Sequence, residues 1–229
     1  MVVARSDAPP GDEEAPPLDG RRARSERTRA VIVDALLALL EEGDPTPSAE
    51  RIAERAGVSR RALFHHFRDV EDLLATAADR QASRVLSTIR PIDPEGPLAA
   101  RVSAYAAQVC GLYARVAPVR RAALTAERAS PVIAERMRQG RAMHRASVER
   151  VFGAELEAPP KAEREEIVAA LVAATSFSAW EELVTHQGLS QSAAVRVVRR
   201  SIGALLFTMG DAPRSGLPPV PPRDAKEKR

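Results

Sequence analysis

Aromatic residues make up only 3% of this 229-residue chain, while hydrophobic residues reach 45%. A core must therefore be built mainly from alanine, valine and leucine, which suits helices and argues against a β-sandwich, so the expected class is all-α. A single cysteine, Cys110, excludes an internal disulfide framework and a zinc cluster. It reads as a small buried hydrophobe, since a redox sensor would need an electropositive neighbour. No uncharged apolar run reaches the length of about 18 residues that a spanning helix needs, so no membrane segment is expected. The opening MVVARSDAPPGDEE is acidic and proline-rich where an export signal needs a basic start and an apolar core, which points to the cytoplasm. Excess charge of one sign is also lacking. The formal net charge is only +3 although the sequence pI is about 9.5, so any affinity for a polyanion must come from a local basic surface.

Such a surface is written into SAERIAERAGVSRRALFHHF, residues 48 to 67. Ser48 is placed to cap a short helix whose Ile52, Ala53 and Ala56 share one side. Gly57 ends it, because glycine enters the left-handed conformation without the clash a Cβ would cause. Val58 plugs the turn and Ser59 caps a second helix. Leu63 and Phe67, four apart, face back onto the first helix. The pattern is a helix-turn-helix. Its outward side carries Arg60, Arg61, Phe64 and His65, with His66 and Arg68 toward the end. Between residues 48 and 68 there are five arginines against two glutamates. The arginine fork matches the two major-groove acceptors of guanine, so arginines opening such a helix are suited to reading bases.

In chain order, residues 1 to 20 hold four prolines and five acids against one arginine, and are expected to be a disordered tail. The sign reverses at Arg21, Arg22, Arg24, Arg27 and Arg29, either a solvated helix start or an arm touching phosphate or a neighbouring minor groove. Helical spacing over about Ser25 to Glu42 (Val31, Ile32, Ala35, Leu36, Leu39, Leu40) predicts a platform helix behind the helix-turn-helix. Asp69, with Asp72, should cap a fourth helix running to about Ile89. Prolines and glycines then predict helices over roughly 98–116, 119–128, 131–156, 162–186 and 192–209, before a second proline-rich tail from 210. The domains expected are 21–74 for the helix-turn-helix and 75–209 for a second helical domain. Its last two helices carry more than one apolar stripe and so need two partners.

The order and spacing of IAERAGVS, then LFHHF, then EDLL, within about Arg24 to Leu74, resemble the DNA-binding domain of the TetR family of bacterial transcriptional regulators. Relatives carry Tyr at Phe64, Thr or Ser at Ala62, and Lys at Val70, side chains that hold phosphates there; His66, Arg68 or backbone amides would replace them here. The resemblance implies an N-terminal three-helix DNA-binding domain and a C-terminal helical bundle for ligand binding and dimerisation. It implies a homodimer through the last two helices, in the region of Trp180 and the Gly188-Leu189-Ser190 turn, and a repressor released from a palindromic double-stranded operator by a small-molecule effector. Base contacts would come from Arg60, Arg61, Phe64 and His65, and phosphate contacts from Arg24, Ser48, His66 and Arg68. Candidate pocket residues are Tyr105, Tyr113, Met137, Met143, His144, Phe177 and Trp180. If arginines around His144 faced inward, an anionic effector such as a fatty acid or acyl-CoA would be favoured.

Enzymatic chemistry is not expected, nor is a cofactor or metal. Glu165-Glu166 and Glu181-Glu182 are neighbours about 100° apart around a helix and not paired carboxylates. His65-His66 lacks a partner at ligand spacing, and no nucleophile-base arrangement or phosphate-cradling glycine loop occurs. Two alternatives stay open: a DNA-binding regulator without a small-molecule effector, and a helical interaction module that has lost DNA binding.

Overall fold

The computed structural model describes residues 18–211, with side chains over 20–207. Most of the two proline-rich ends lies outside them. The described residues are all-α, with no strand among them. The helices are α1 (Leu18–Glu41), α2 (Ala49–Ala56), α3 (Arg60–His66), α4 (Val70–Leu86), α5 (Leu98–Ala126), α6 (Pro131–Val151), α7 (Gly153–Glu157), α8 (Lys161–Ala174), α9 (Phe177–Glu181) and α10 (Gln191–Asp211), with a π-helical turn over Glu182–His186.

The chain divides into two compact units, and three helices are shared between them. The first takes residues up to Arg84 together with Val116–Met137, and the second takes Val85–Arg115 and everything from Arg138. In the first unit, Ile32, Leu36, Leu40, Ile52, Leu63, Phe67 and Leu73 form one buried cluster joined by Val119, Ala122, Ile133 and Met137. Each fully buried aliphatic side chain there contributes about 1.5 to 3 kcal/mol through removal from water. Ala35 and Leu39 are buried as the helical period predicts, but Val31 is 47% exposed, at the edge of the stripe.

Four boundaries differ from the sequence pattern. Helix α1 begins at Leu18 and not near Ser25, because nothing in the arginine-rich run stops a helix. Pro118 does not divide α5. The helix continues through it with Ala117, Val119 and Ala122 all buried, and packing outweighs the roughly 3 kcal/mol that an interior proline costs. The helix expected over 131–156 stops at Val151, where Phe152 leaves helical geometry (φ −114°, ψ 21°) to bury its ring against Tyr105, 5.4 Å between centroids. The helix expected over 162–186 breaks at Thr175 and Ser176. Thr175 Oγ1 donates back to the Leu171 carbonyl (2.7 Å), and Ser176 starts α9 by accepting from the Ala179 amide (3.1 Å). The stretch Lys161–His186 reaches a mean hydropathy of 1.5 over 18 residues. It opens on the exposed Glu163, Glu165 and Glu166 and breaks in the middle, so it is the apolar wall of a bundle and not an uninterrupted span.

Candidate nucleic-acid interface and the interior of the second unit

Local capping chemistry builds the helix-turn-helix. Ser48 accepts from the Arg51 amide (3.3 Å), Gly57 sits in the left-handed region (φ 67°, ψ 30°), and Ser59 accepts from the Ala62 amide (3.1 Å). Each side-chain cap of this kind is worth about 1 kcal/mol, and together they fix where α3 starts. Leu63 and Phe67 bury the inner side of α3, and Val58 packs partly buried against the same core. Arg60, Arg61, Phe64 and His65 are exposed on the other side.

The phosphate candidates fall in different settings. Arg68 is exposed and 3.5 Å from Asp72, whose second carboxylate oxygen accepts from the Arg68 amide (3.2 Å). Asp69 in turn accepts from the Asp72 amide (2.6 Å), so the two acids start α4 reciprocally. Ser48, while capping α2, keeps its own hydroxyl proton to donate. Arg24 projects from the regular helix α1 and not from an extended arm. His66 is half-buried; burial first, then His65 and Arg29, hold its imidazole below the ordinary value of 6.5. It is therefore a neutral N–H donor near pH 7.

One residue that holds this surface together was not legible as such. Arg29 of α1 donates through Nη1 to the His66 carbonyl (2.6 Å) and through Nη2 to Thr76 Oγ1 (3.2 Å), while its guanidinium lies 4.2 Å from the Phe67 ring centroid. It ties the end of α3 to α1 and α4, a charge-assisted bond to an otherwise orphaned helix carbonyl. Arg80 does the same between α4 and α1, donating to the Ala30 carbonyl and Asp34 (both 3.1 Å).

The pocket candidates do not form one group. Met137 belongs to the core of the first unit, and Met143 is 57% exposed. In the second unit Tyr113, Phe177 and Trp180 pack together at 5.6 to 6.2 Å between centroids, with His144 6.5 Å from Tyr113. Thr175 is the polar centre of this interior. Its backbone carbonyl accepts from the Tyr113 hydroxyl (3.0 Å), and its Oγ1 lies 2.9 Å from His144 Nε2. Since the Thr175 proton goes to Leu171, His144 must donate there, which places a proton on Nε2. Tyr105 stands beside Phe152 with its hydroxyl buried and no partner of good geometry. The α6 arginines near His144 do not supply an inward cation: Arg138, Arg141 and Arg150 are exposed, and Arg145 binds Glu165 and Glu149 at the surface. Arg136 pairs with Asp79 in the first unit.

Cys110 is buried and burial pushes its thiol up to about 11. The expected result is that a thiol-specific disulfide reagent at pH 8 leaves the native protein unlabelled and modifies it once urea unfolds it. Stoichiometric labelling of the folded protein within seconds would contradict this.

A buried-face helix capped into a tight turn, followed by an outward basic helix, is a helix-turn-helix. Residues 32–77 match the family model of the bacterial regulatory proteins of the tetR family. The likeness to solved structures extends over most of the chain. A transcriptional regulator from Rhodococcus sp. Rha1 matches with a TM-score of 0.62 and 24% identity, over 80% of this chain and 96% of that one. A tetR-family transcriptional regulator from Streptomyces coelicolor matches at 0.58 and 19% identity, over 83% and 92%. A TetR transcription regulator from Haloarcula marismortui matches at 0.59 and 18%, over 80% and 98%. No curated protein matches the chain. The chain thus has the fold of the TetR-family transcriptional regulators, helix-turn-helix and helical remainder together.

Proposed function

We propose that the chain is a homodimeric repressor that acts in the cytoplasm, binds a palindromic operator through α3, and is released by a small-molecule effector bound in the second unit. The observation that carries the DNA reading is the division of α3 into an inner side pinned by Leu63, Phe67 and Arg29 and an outer side of exposed Arg60, Arg61, Phe64 and His65. In the dimer, two such helices would enter successive major grooves about 34 to 36 Å apart, or a multiple. The self-association reading is supported by a groove of about 610 Å³ along α10, where Val197 is 38% exposed, and by Phe207, 65% exposed further along the same helix. A regulator whose second unit only dimerises is the rival reading, favoured by the close packing of Tyr113, Phe177 and Trp180.

In the free protein Arg60 is occupied: it pairs with Glu50 at 3.0 Å and leans over Phe64 at 5.4 Å. Both partners of the ion pair are exposed and screened by water, so exchanging it for a base costs little against the about 1 to 3 kcal/mol of a good bidentate base contact. Selection of bound sequences from random duplex DNA is expected to return a palindrome. On that sequence Arg60→Ala should lose about 1 to 3 kcal/mol and relax one position, whereas Arg68→Ala should weaken all duplexes alike and lower the salt slope by about one. Equal losses on the selected and on random DNA for Arg60→Ala would remove it from the base-reading set. Failure to recover any sequence above background would favour an interaction module without DNA binding.

A further inference from the structure

The interior of the second unit contains an unexplained donor. The Tyr105 residue is 1% exposed, its hydroxyl has no hydrogen-bond partner, and burial pushes its pKa up to about 12, so it carries its proton at any physiological pH. The Ser147 and Thr175 hydroxyls lie near enough to oppose that shift, but neither meets the phenol with hydrogen-bond geometry. Leaving such a group unmade costs about 1 to 3 kcal/mol, which a fold avoids unless something else accepts the bond. Around it Tyr113 is committed to the Thr175 carbonyl, Thr175 to Leu171 and His144 to Thr175.

Backbone irregularity is concentrated in the same wall. Between Thr175 and Gln187 the chain breaks α8, makes the five-residue α9 and passes into a π-helical turn, a departure that is frequent at functional sites. This stretch carries Thr175, Phe177 and Trp180.

We propose that Tyr105 is the recognition donor for an uncharged small molecule bearing a carbonyl or ether oxygen, held in the second unit among the rings of Phe152, Tyr113, Phe177 and Trp180. Uncharged follows from the surroundings. Among the described residues of this unit the buried cation is Arg101, which Glu155 takes in a bidentate pair, and Arg150, which acts on the phenol, is an exposed residue. A carboxylate brought to Tyr105 would be a buried charge facing neutral groups, which is far more costly than a buried ketone. The inference rests on the effector-responsive reading above and gives its site a donor and a ligand class.

The test uses the full chain and its Tyr105→Phe variant with three matched probes: cyclohexanone, cyclohexanecarboxylate and cyclohexylammonium. Binding is read without DNA, from the thermal midpoint and from the emission of Trp180, the only tryptophan. Cyclohexanone is expected to give a saturable response that weakens about threefold to tenfold in Tyr105→Phe, the loss of one neutral hydrogen bond, while neither ion responds. Tyr105→Phe itself should melt no lower than the parent. Equal binding by both proteins, equal or stronger binding of either ion, or no saturable response to the ketone would each overturn the proposal. So would a variant of lowered stability, which would mean that a structural water satisfies the hydroxyl. Absence of duplex binding in the separate selection experiment would instead sink the regulator reading and leave the probe result standing.

Discussion

Arg101→Ala is expected to destabilise the second unit by about 3 to 5 kcal/mol, the cost of breaking a buried ion pair from one side. Arg101 is 5% exposed and makes four bonds: Nε to the Gly96 carbonyl (2.7 Å), Nη1 to the Val151 carbonyl (2.7 Å) and to Glu155 Oε2 (2.8 Å), and Nη2 to Glu155 Oε1 (2.5 Å). Truncation would leave a carboxylate and two carbonyls without their donor at the point where α6 ends and α7 begins. Urea unfolding followed through Trp180 reads this unit directly, and a change under 1 kcal/mol would show that solvent reaches Glu155 freely. The pair also sets an acid limit. The Arg101 hydrogen bonds hold the Glu155 carboxyl below its ordinary 4.5, so its contribution is complete above that value and is lost as pH falls through the lower folded value. In Arg101→Ala that part of the acid sensitivity should vanish.

Phe67→Ala should cost about 3 to 5 kcal/mol in the first unit and abolish specific DNA binding at temperatures where the parent binds. Phe67 is 2% exposed, closes α3 onto the core, and lies under the Arg29 guanidinium. The neighbouring Phe64, 38% exposed, supplies the contrast: Phe64→Ala should change stability by no more than about 0.5 kcal/mol, so any loss of binding from it is a loss of contact. Far-UV circular dichroism melts distinguish the two, since Trp180 lies in the other unit. If Phe67→Ala melts like the parent and still binds DNA, the buried side of α3 has been misassigned.

What the sequence disclosed, it disclosed through rules that act within a few residues. Ser48, Gly57 and Ser59 each satisfy a capping requirement of the backbone beside them, and the alternation of Leu63 and Phe67 with Arg60, Arg61 and Phe64 follows from helical pitch. Rules of the same short range misled where packing overruled them: Pro118 should end a helix but sits in one whose neighbours are buried. The break at Thr175 was not legible because the Ser176 cap that starts α9 sits inside an apolar helical run. Arg29 stands in a basic run of the sequence, and its partner His66 is 37 residues away, beyond the reach of any local rule. Met137 and Met143, six apart on α6, looked equivalent, yet one is core and the other is 57% exposed.

The core of the first unit is closed partly by Val119, Ala122, Ala123, Ile133 and Met137, which the chain delivers only after it has left that unit and returned. The DNA-reading part is therefore not a cassette. A hybrid regulator spliced after Arg84 would carry the whole helix-turn-helix and still present bare leucines where α5 and α6 should lie. Such a hybrid should aggregate or melt early unless residues 116–137 travel with it or the new partner supplies an equivalent helical pair.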